Sequence, residues 1–112
     1  MKLRIRDLAR FAPDRMAKIA LATTERAQLD LYCVAPGQAQ KPHTHDAQDK
    51  IYYVLEGAGR FSLGGGEERL SAGEAMVAPA GVEHGLVNDG TEPLLVLVVV
   101  TPPPPHGSGA PR

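Results

Sequence analysis

Cysteine is nearly absent from the sequence: Cys33 is the only one in 112 residues. A single cysteine cannot close an intrachain disulfide, which agrees with a reducing compartment. Its neighbours are Tyr32 and Val34, so we interpret Cys33 as a small core residue and not as a reactive thiol. The first eleven residues alternate charged with apolar side chains instead of placing a basic region before an apolar run, so a secretory signal is not expected. The expected location is the cytoplasm.

The chain also has little net charge and no long apolar run. Twelve basic side chains against thirteen acidic ones leave a formal net charge of −1, so nothing attracts the chain to nucleic acid or to an anionic membrane surface. The apolar run at residues 94–100 is far shorter than the roughly 20 residues of a membrane-spanning helix. We therefore expect a small-molecule partner, and neither nucleic acid nor a membrane.

Helical periodicity is scarce as well, and short apolar or alternating runs separated by Gly and Pro take its place. Strands are predicted at residues 1–6, 16–21, 28–35, 50–55, 60–63, 67–70, 75–78, 83–87 and 94–100. Many short strands of this kind predict an all-β antiparallel sandwich or barrel. The length predicts one domain over residues 1–101, N-terminal strands included. The Pro- and Gly-rich residues 102–112 are predicted to form a flexible tail.

Three of the four histidines lie in two ordered stretches, residues 37–57 and 73–88. His43 and His45 are two residues apart, and alternate side chains of a strand point the same way, so both imidazoles are expected on one face. His84 lies in the second stretch. His106 lies among the prolines of the tail, where a solvated side chain is expected, and it is excluded from the site.

The two stretches resemble the signature blocks of the cupin superfamily, which consists of small β-barrels. The second block, Gly-x5-Pro-x-Gly-x2-His-x3-Asn, is matched at every position, by Gly73, Pro79, Gly81, His84 and Asn88. The first block, Gly-x5-His-x-His-x3/4-Glu-x6-Gly, is matched everywhere except at its glutamate, by Gly37, His43, His45 and Gly57. The resemblance implies a double-stranded β-helix, or jelly-roll barrel, whose block histidines and glutamate hold one divalent metal.

The ligand type indicates which metals fit. Ca²⁺ and Mg²⁺ prefer oxygen ligands, so imidazoles favour a divalent transition metal, namely Fe, Mn, Ni, Co, Cu or Zn. We expect His43, His45 and His84 to hold it.

Lys50 occupies the position of the family's glutamate, seven residues before Gly57. If Lys50, Tyr52 and Val54 face the interior, as the family's pattern implies, then Asp49 faces outward. Only a bulge or loop near Gln48 would turn Asp49 inward as a metal ligand, and that alternative is kept open.

Four outcomes for Lys50 are open. It swings aside from a metal held by three histidines and water, or it fills the metal position in a pocket for an anionic or carbonyl-bearing molecule. It acts as a base or Schiff-base amine, or it lies near the surface and pairs with an acid such as Asp49 or Glu83. An ammonium group beside a dication is repelled, so this one position decides the state of the site.

Tyr52 shares the predicted inward face with Lys50 and is the second candidate catalytic residue. Its hydroxyl is expected to donate a hydrogen bond to a ligand, with local packing and a locally satisfied hydroxyl as the alternative. The resemblance implies a metal-dependent enzyme of the oxygenase, isomerase or decarboxylase type, acting on a small organic molecule. A non-enzymatic small-molecule-binding cupin, with a metal site altered by Lys50, is the alternative function. Both faces of residues 94–100 are apolar, which predicts a homodimer.

Overall fold

Two antiparallel sheets face each other in the protein. The computed structural model describes residues 1–104, which contain β1 (Ala17–Thr23), β2 (Gln28–Val34), β3 (Ala39–His43), β4 (Asp49–Glu56), β5 (Ala58–Leu63), β6 (Gly66–Ser71), β7 (Ala75–Ala78), β8 (His84–Val87) and β9 (Leu94–Thr101). The larger sheet has the order β1-β2-β9-β4-β7, and the smaller sheet has the order β3-β8-β5-β6. This is a double-stranded β-helix, so the predicted all-β jelly-roll fold is confirmed.

The alternation along β4 is the one that the sequence predicts. Lys50, Tyr52 and Val54 are buried, whereas Asp49, Ile51 and Tyr53 are exposed. Inward side chains of both sheets form the main core, which includes Tyr32, Tyr52, Phe61, Leu86 and Val96. Because side chains alternate between the two faces of a strand, the same pleat that buries Tyr52 carries Lys50 into the barrel.

A second apolar cluster lies on the outer face of the larger sheet. Leu31, Cys33 and Leu95 are buried there, and Ile5 and Ala9 of the N-terminal segment pack against them. The chain thus covers part of the outer face of β9 itself. Cys33 is fully buried, and burial raises the pKa of its thiol, so its interpretation as a core residue is confirmed.

Two strand assignments differ from the sequence prediction. The strand predicted at residues 1–6 is wrong, because this segment leads into a 3-10 helix, Ile5–Leu8, and lies on the sheet without extending it. The alternation there reflects packing of Ile5 on an apolar face. Strand β3 was not predicted, since its sequence AQKPH is poor in residues typical of strands. It lies at an edge of the smaller sheet, where Pro42, which lacks an N–H, is tolerated.

The predicted flexible tail lies mostly outside the described residues, as does His106 within it, so this part of the domain assignment stays a prediction. Across residues 1–104, no helix is long and apolar enough to cross a membrane.

Candidate metal centre

The three predicted histidines meet at one end of the barrel. His43, at the end of β3, pairs directly with His84, at the start of β8. The ring centroids are 4.5 Å apart for His43 and His84, 4.8 Å for His43 and His45, and 5.8 Å for His45 and His84. One ring nitrogen from each residue lies within 4.8 Å of the other two. The three side chains are therefore grouped so that they can hold one metal ion.

His45 reaches this group from a loop and not from a strand. Strand β3 ends at His43, so the alternation expected for the pair does not position His45. The backbone N–H of Gly81 instead donates to the carbonyl oxygen of His45 at 2.7 Å. Gly81 has φ of 83°, a value that favours glycine. The turn of the second block therefore holds the loop of the first.

Gly85 explains why His43 and His84 come so close together. A Cβ atom at Gly85 would lie 2.8 Å from the carbonyl oxygen of Gln40 and 2.9 Å from the nitrogen of Pro42. Only a residue without a side chain lets β3 approach β8 at this distance. Sequence reasoning missed Gly85, although the glycine directly after His84 was a visible signal.

Backbone carbonyls fix the protonation of two imidazoles. The Nδ1 atoms of His43 and His84 lie 2.9 Å from the carbonyl oxygens of Lys41 and Val82, respectively. A carbonyl only accepts hydrogen bonds, so in each ring Nδ1 carries the proton and Nε2 presents a lone pair. Among the described residues, the Nε2 atoms of His43, His45 and His84 are buried and have no hydrogen-bond partner. Because no hydrogen-bond donor reaches these nitrogen atoms, their lone pairs are available to coordinate a metal cation.

The electrostatics of the site keep the imidazoles neutral. Burial is the largest cause of a lowered pKa at all three histidines, and the ammonium group of Lys50 lowers the pKa of each further. The pKa of His45 falls to about 4. Neutral imidazole is the form that binds a metal, so the ligands are ready near pH 7 without loss of a proton.

Lys50 lies inside the barrel and has no exposed surface. Its Nζ donates to the hydroxyl oxygen of Tyr32 at 3.5 Å. The near-surface placement considered for Lys50 is therefore wrong, because the pleat of β4 directs the side chain inward. A lysine side chain thus lies inside the barrel where the family has a carboxylate.

Asp49 lies on the outer face and is exposed. Its Oδ1 accepts a hydrogen bond from the backbone N–H of Ala80 at 2.8 Å, within a turn that the bond from the Val82 N–H to the Pro79 carbonyl oxygen closes at 3.1 Å. Among the described residues, the group of possible metal ligands consists of the three histidines without Asp49. Asp49 therefore contacts the turn that precedes His84, and the structure does not bring it to the imidazoles.

Tyr52 lies beside the histidines, with its ring centroid 5.9 Å from that of His84. Its hydroxyl donates to Oε1 of Gln40 at 3.2 Å. Burial raises the pKa of Tyr52 well above its usual range, so the hydroxyl stays protonated. The arrangement corresponds to the alternative in which the hydroxyl is satisfied locally.

Asn88, the last residue of the second block, has a structural role. It is fully buried, and its Nδ2 donates to the carbonyl oxygens of Val34 and Glu92 at 2.9 and 2.8 Å. These bonds connect the end of β2 to the loop before β9, so this part of the motif supports the fold and not the chemistry.

Sequence reasoning missed a polar row on β2. Gln28, Asp30 and Tyr32 alternate along the strand and are buried; Gln28 donates to Oδ1 of Asp30 at 2.8 Å. Lys18 of β1 pairs with Tyr32 and places its Nζ 5.7 Å from the centroid of that ring. The alternation in the sequence of β2 was a signal for this row, because its polar side chains lie on one face of the strand and its apolar side chains on the other.

Comparisons with known proteins bear on this arrangement. The family described as Cupin domain matches residues 30–100, a range that includes all three histidines. The crystal structure of TT1209 from Thermus thermophilus is 46% identical, with a TM-score of 0.89, and the match covers 92% of this chain and 98% of that one.

Two curated relatives have names that refer to small molecules. The tetracenomycin polyketide synthase protein TcmJ of Streptomyces glaucescens is 34% identical over 64 residues, which are 57% of this chain and 43% of TcmJ. The oxalate-binding protein of Thermotoga maritima is 33% identical over 64 residues, which are 57% of this chain and 53% of that protein. The match thus spans about half the length of each relative.

Proposed function

This chain belongs to the cupin family, and on that premise we propose that it is a metal-binding cupin that acts on a small organic molecule. His43, His45 and His84 hold a divalent transition metal through Nε2. The observation that carries the proposal is the convergence of three buried Nε2 atoms without a hydrogen-bond partner in the described part of the chain. Nitrogen ligands select Fe, Mn, Ni, Co, Cu or Zn over Ca or Mg.

Three protein ligands leave room in the coordination shell for a substrate. A metal held in this way supplies Lewis acidity and an activated water, which suits an oxygenase, isomerase or decarboxylase. The protein orients its ligands through the Lys41 and Val82 carbonyls, which hold the Nδ1 atoms of His43 and His84. The Tyr52 ring packs between His84 and Phe61, with ring centroids 5.9 and 6.0 Å away, respectively.

The second candidate function is a small-molecule-binding cupin without catalysis, in which Lys50 alters the metal site. The observation that favours it is the fully buried Lys50, whose charge contributes to the lowered pKa of all three histidines. A buried ammonium group disfavours a neighbouring dication and attracts an anion. The similarity to a protein named for binding oxalate supports a binding role.

Metal analysis tests the first function. Protein purified without an affinity tag is measured by plasma mass spectrometry, before and after incubation with each of the six metals. We expect stoichiometric metal in the wild type and its loss in His84→Ala. His106→Ala, which changes the remaining histidine, is the matched control and should retain the metal. Substoichiometric metal that does not rise on incubation, with His84→Ala equal to the wild type, would contradict the metal site.

Lys50→Glu separates the two functions. This substitution restores the carboxylate of the family's motif at a position that faces the histidines. If the metal site works as it stands, the wild type and the variant both bind metal. If only Lys50→Glu binds metal, Lys50 blocks the site and the second function holds.

We also propose a homodimer that forms through the outer face of the larger sheet. Ile51 and Val77 are register neighbours on β4 and β7 and are 38% and 56% exposed, next to Tyr53 at 40%. These side chains carry no charge, so two copies related by a twofold axis bring apolar groups together without like-charge repulsion. Light scattering after gel filtration should show a dimer that Val77→Lys converts to a monomer, while Glu67→Lys on exposed β6 leaves it intact. A monomeric wild type would contradict the dimer.

A further inference from the structure

Four amide side chains are buried in the protein, and one of them differs from the rest in its hydrogen bonding. Gln28, Gln40 and Asn88 each form a side-chain hydrogen bond inside the protein. Gln48 is only 8% exposed, and its side chain has no hydrogen-bond partner among residues 1–104. An amide buried without a partner is destabilising and therefore uncommon. The polar atoms of Gln48 are thus available to a bound molecule.

Gln48 belongs to the loop that carries His45. The backbone N–H of Gly81 donates to the carbonyl oxygen of His45 at 2.7 Å, and the backbone N–H of Ala80 donates to Oδ1 of Asp49 at 2.8 Å. Two consecutive residues of one turn therefore hold both ends of the loop. Because consecutive Cα atoms are about 3.8 Å apart, the Cα atom of Gln48 is at most about 11 Å from that of His45. The loop keeps Gln48 close to the histidine cluster.

The side chain of Gln48 extends the inward row of β4. Burial alternates from residue 48 to residue 54, so that the even-numbered residues are buried and the odd-numbered ones exposed. Because alternate side chains of a strand share one face, Gln48 points to the interior as Tyr52 does. Tyr52 lies further along this row, and its ring centroid is 5.9 Å from that of His84. Gln48 is therefore at the start of the row, next to the loop of His45.

The chemistry of an amide indicates what Gln48 recognises. A small molecule coordinates a metal through a lone pair, and an oxygen atom keeps further lone pairs that accept hydrogen bonds, whereas sulfur is a weak acceptor. We infer that Gln48 is a specificity-determining residue, whose Nε2 donates a hydrogen bond to an oxygen atom of the small molecule that binds beside the three histidines. The inference rests on the proposed function, because it names a contact of that site. The ligand class is an oxygen-bearing compound with a carbonyl or hydroxyl group.

The test uses cyanate and thiocyanate, two linear anions of equal charge that bind metals through nitrogen and end in oxygen and sulfur, respectively. Each is titrated into Co(II)-loaded protein, and the visible absorption of Co(II) reports its binding. In Gln48→Met, the affinity for cyanate relative to thiocyanate should fall about 10-fold, as expected for one hydrogen bond to a charged acceptor. Asp46→Asn, at an exposed position of the same loop, is the matched control and should keep the wild-type ratio. An unchanged ratio in Gln48→Met would overturn the inference.

The stability of the metal-free protein separates ligand recognition from a structural role. Gln48→Met keeps the length of the side chain and removes a buried amide that has no partner. We therefore expect the midpoint of thermal unfolding to rise by roughly 4 °C. An amide that supports the fold would give the opposite shift, so a lower midpoint in Gln48→Met would overturn the inference.

Failure of the proposed function gives a different result from failure of the inference. If the wild type takes up no Co(II), the proposed function and the inference fall together. If the wild type and Gln48→Met both load fully, and the two anions bind with equal ratios or do not bind, the inference is overturned and the metal site stands. Loss of Co(II) in Gln48→Met would make Gln48 a metal ligand, which also overturns the inference.

Discussion

His43 and His84 face each other as a register pair across β3 and β8, with their ring centroids 4.5 Å apart. One residue comes from the end of an edge strand and the other from the start of its neighbour. Each ring is fixed through Nδ1 by a carbonyl two residues earlier, on Lys41 and Val82. The site is therefore preorganised by backbone contacts, and its affinity should depend on the packing of these two strands.

Substitution of Gly85 tests that dependence. Gly85→Ala places a Cβ atom 2.8 Å from the Gln40 carbonyl oxygen, which separates β3 from β8 and moves His43 away from His84. We expect unfolding to become easier by roughly 1–3 kcal/mol and the affinity for Co(II) to fall. Gly66→Ala is the matched control, since its new Cβ would be 3.7 Å from the nearest atom outside its chain neighbours. Urea unfolding and metal titration compare the two, and equal behaviour would contradict the close-packing account.

Substitutions of Asp49 test whether this residue supports the turn before His84 or binds the metal. Asp49→Ala removes the acceptor of the Ala80 N–H bond, so we expect a loss of about 1 kcal/mol in stability and a modest loss of metal affinity. Asp49→Asn keeps an oxygen at Oδ1 and should behave nearly as the wild type does in thermal unfolding and metal titration. If Asp49 is a ligand instead, both substitutions should lower metal affinity by a factor on the order of 10 to 100 or more.

The lowered pKa values predict how pH affects the stability of chelator-treated, metal-free protein. His45 has a pKa of about 4 in the folded chain against 6.5 as its ordinary value. As pH falls below about 6.5, the unfolded chain therefore binds protons that the folded chain does not. The contribution of His45 to the free energy of unfolding should fall between pH 6.5 and pH 4 and level off below. Thermal unfolding from pH 8 to pH 4 measures the slope, which His45→Asn should reduce; a stability that rises on acidification would refute this.

Tyr52→Phe tests whether the Tyr52 hydroxyl has a structural role or contributes to the metal site. The variant keeps the ring beside His84 but loses the hydroxyl that donates to Gln40. We expect a stability loss of about 1 kcal/mol and unchanged metal affinity. A clear loss of metal affinity, measured by titration, would show that the hydroxyl contributes to the site, as its prediction as a catalytic residue requires.

The sequence alone was sufficient to predict those features of the fold and the site that depend on a local pattern. The alternation in β4 puts Lys50 and Tyr52 on one face, and the resemblance to the cupin blocks implies that this face points inward and that His84 joins His43 and His45. The motifs that carry the resemblance are short and are read within a few residues. The cytoplasmic location and the flexible tail stay predictions, because nothing in residues 1–104 tests them.

The features of the fold that the sequence did not predict depend on contacts between segments that are distant along the chain. Residues 1–6 alternate as a strand does, but whether they pair at an edge or lie on an apolar face is decided by Leu31 and Leu95, which form that face. Similarly, the contact of Lys18 with the ring of Tyr32 depends on the pairing of β1 with β2. Register across strands sets such contacts, and a single strand's sequence carries no record of its partner's register.

The most direct test of the central claim is an anomalous-scattering map of crystals of metal-reconstituted protein, collected at the absorption edge of the added metal. The account predicts one peak at bonding distance from the Nε2 atoms of His43, His45 and His84, with a ligand or water in the remaining coordination and the Lys50 ammonium group outside it. A map without a peak there, with Lys50 or water hydrogen-bonded to these nitrogens, would contradict it.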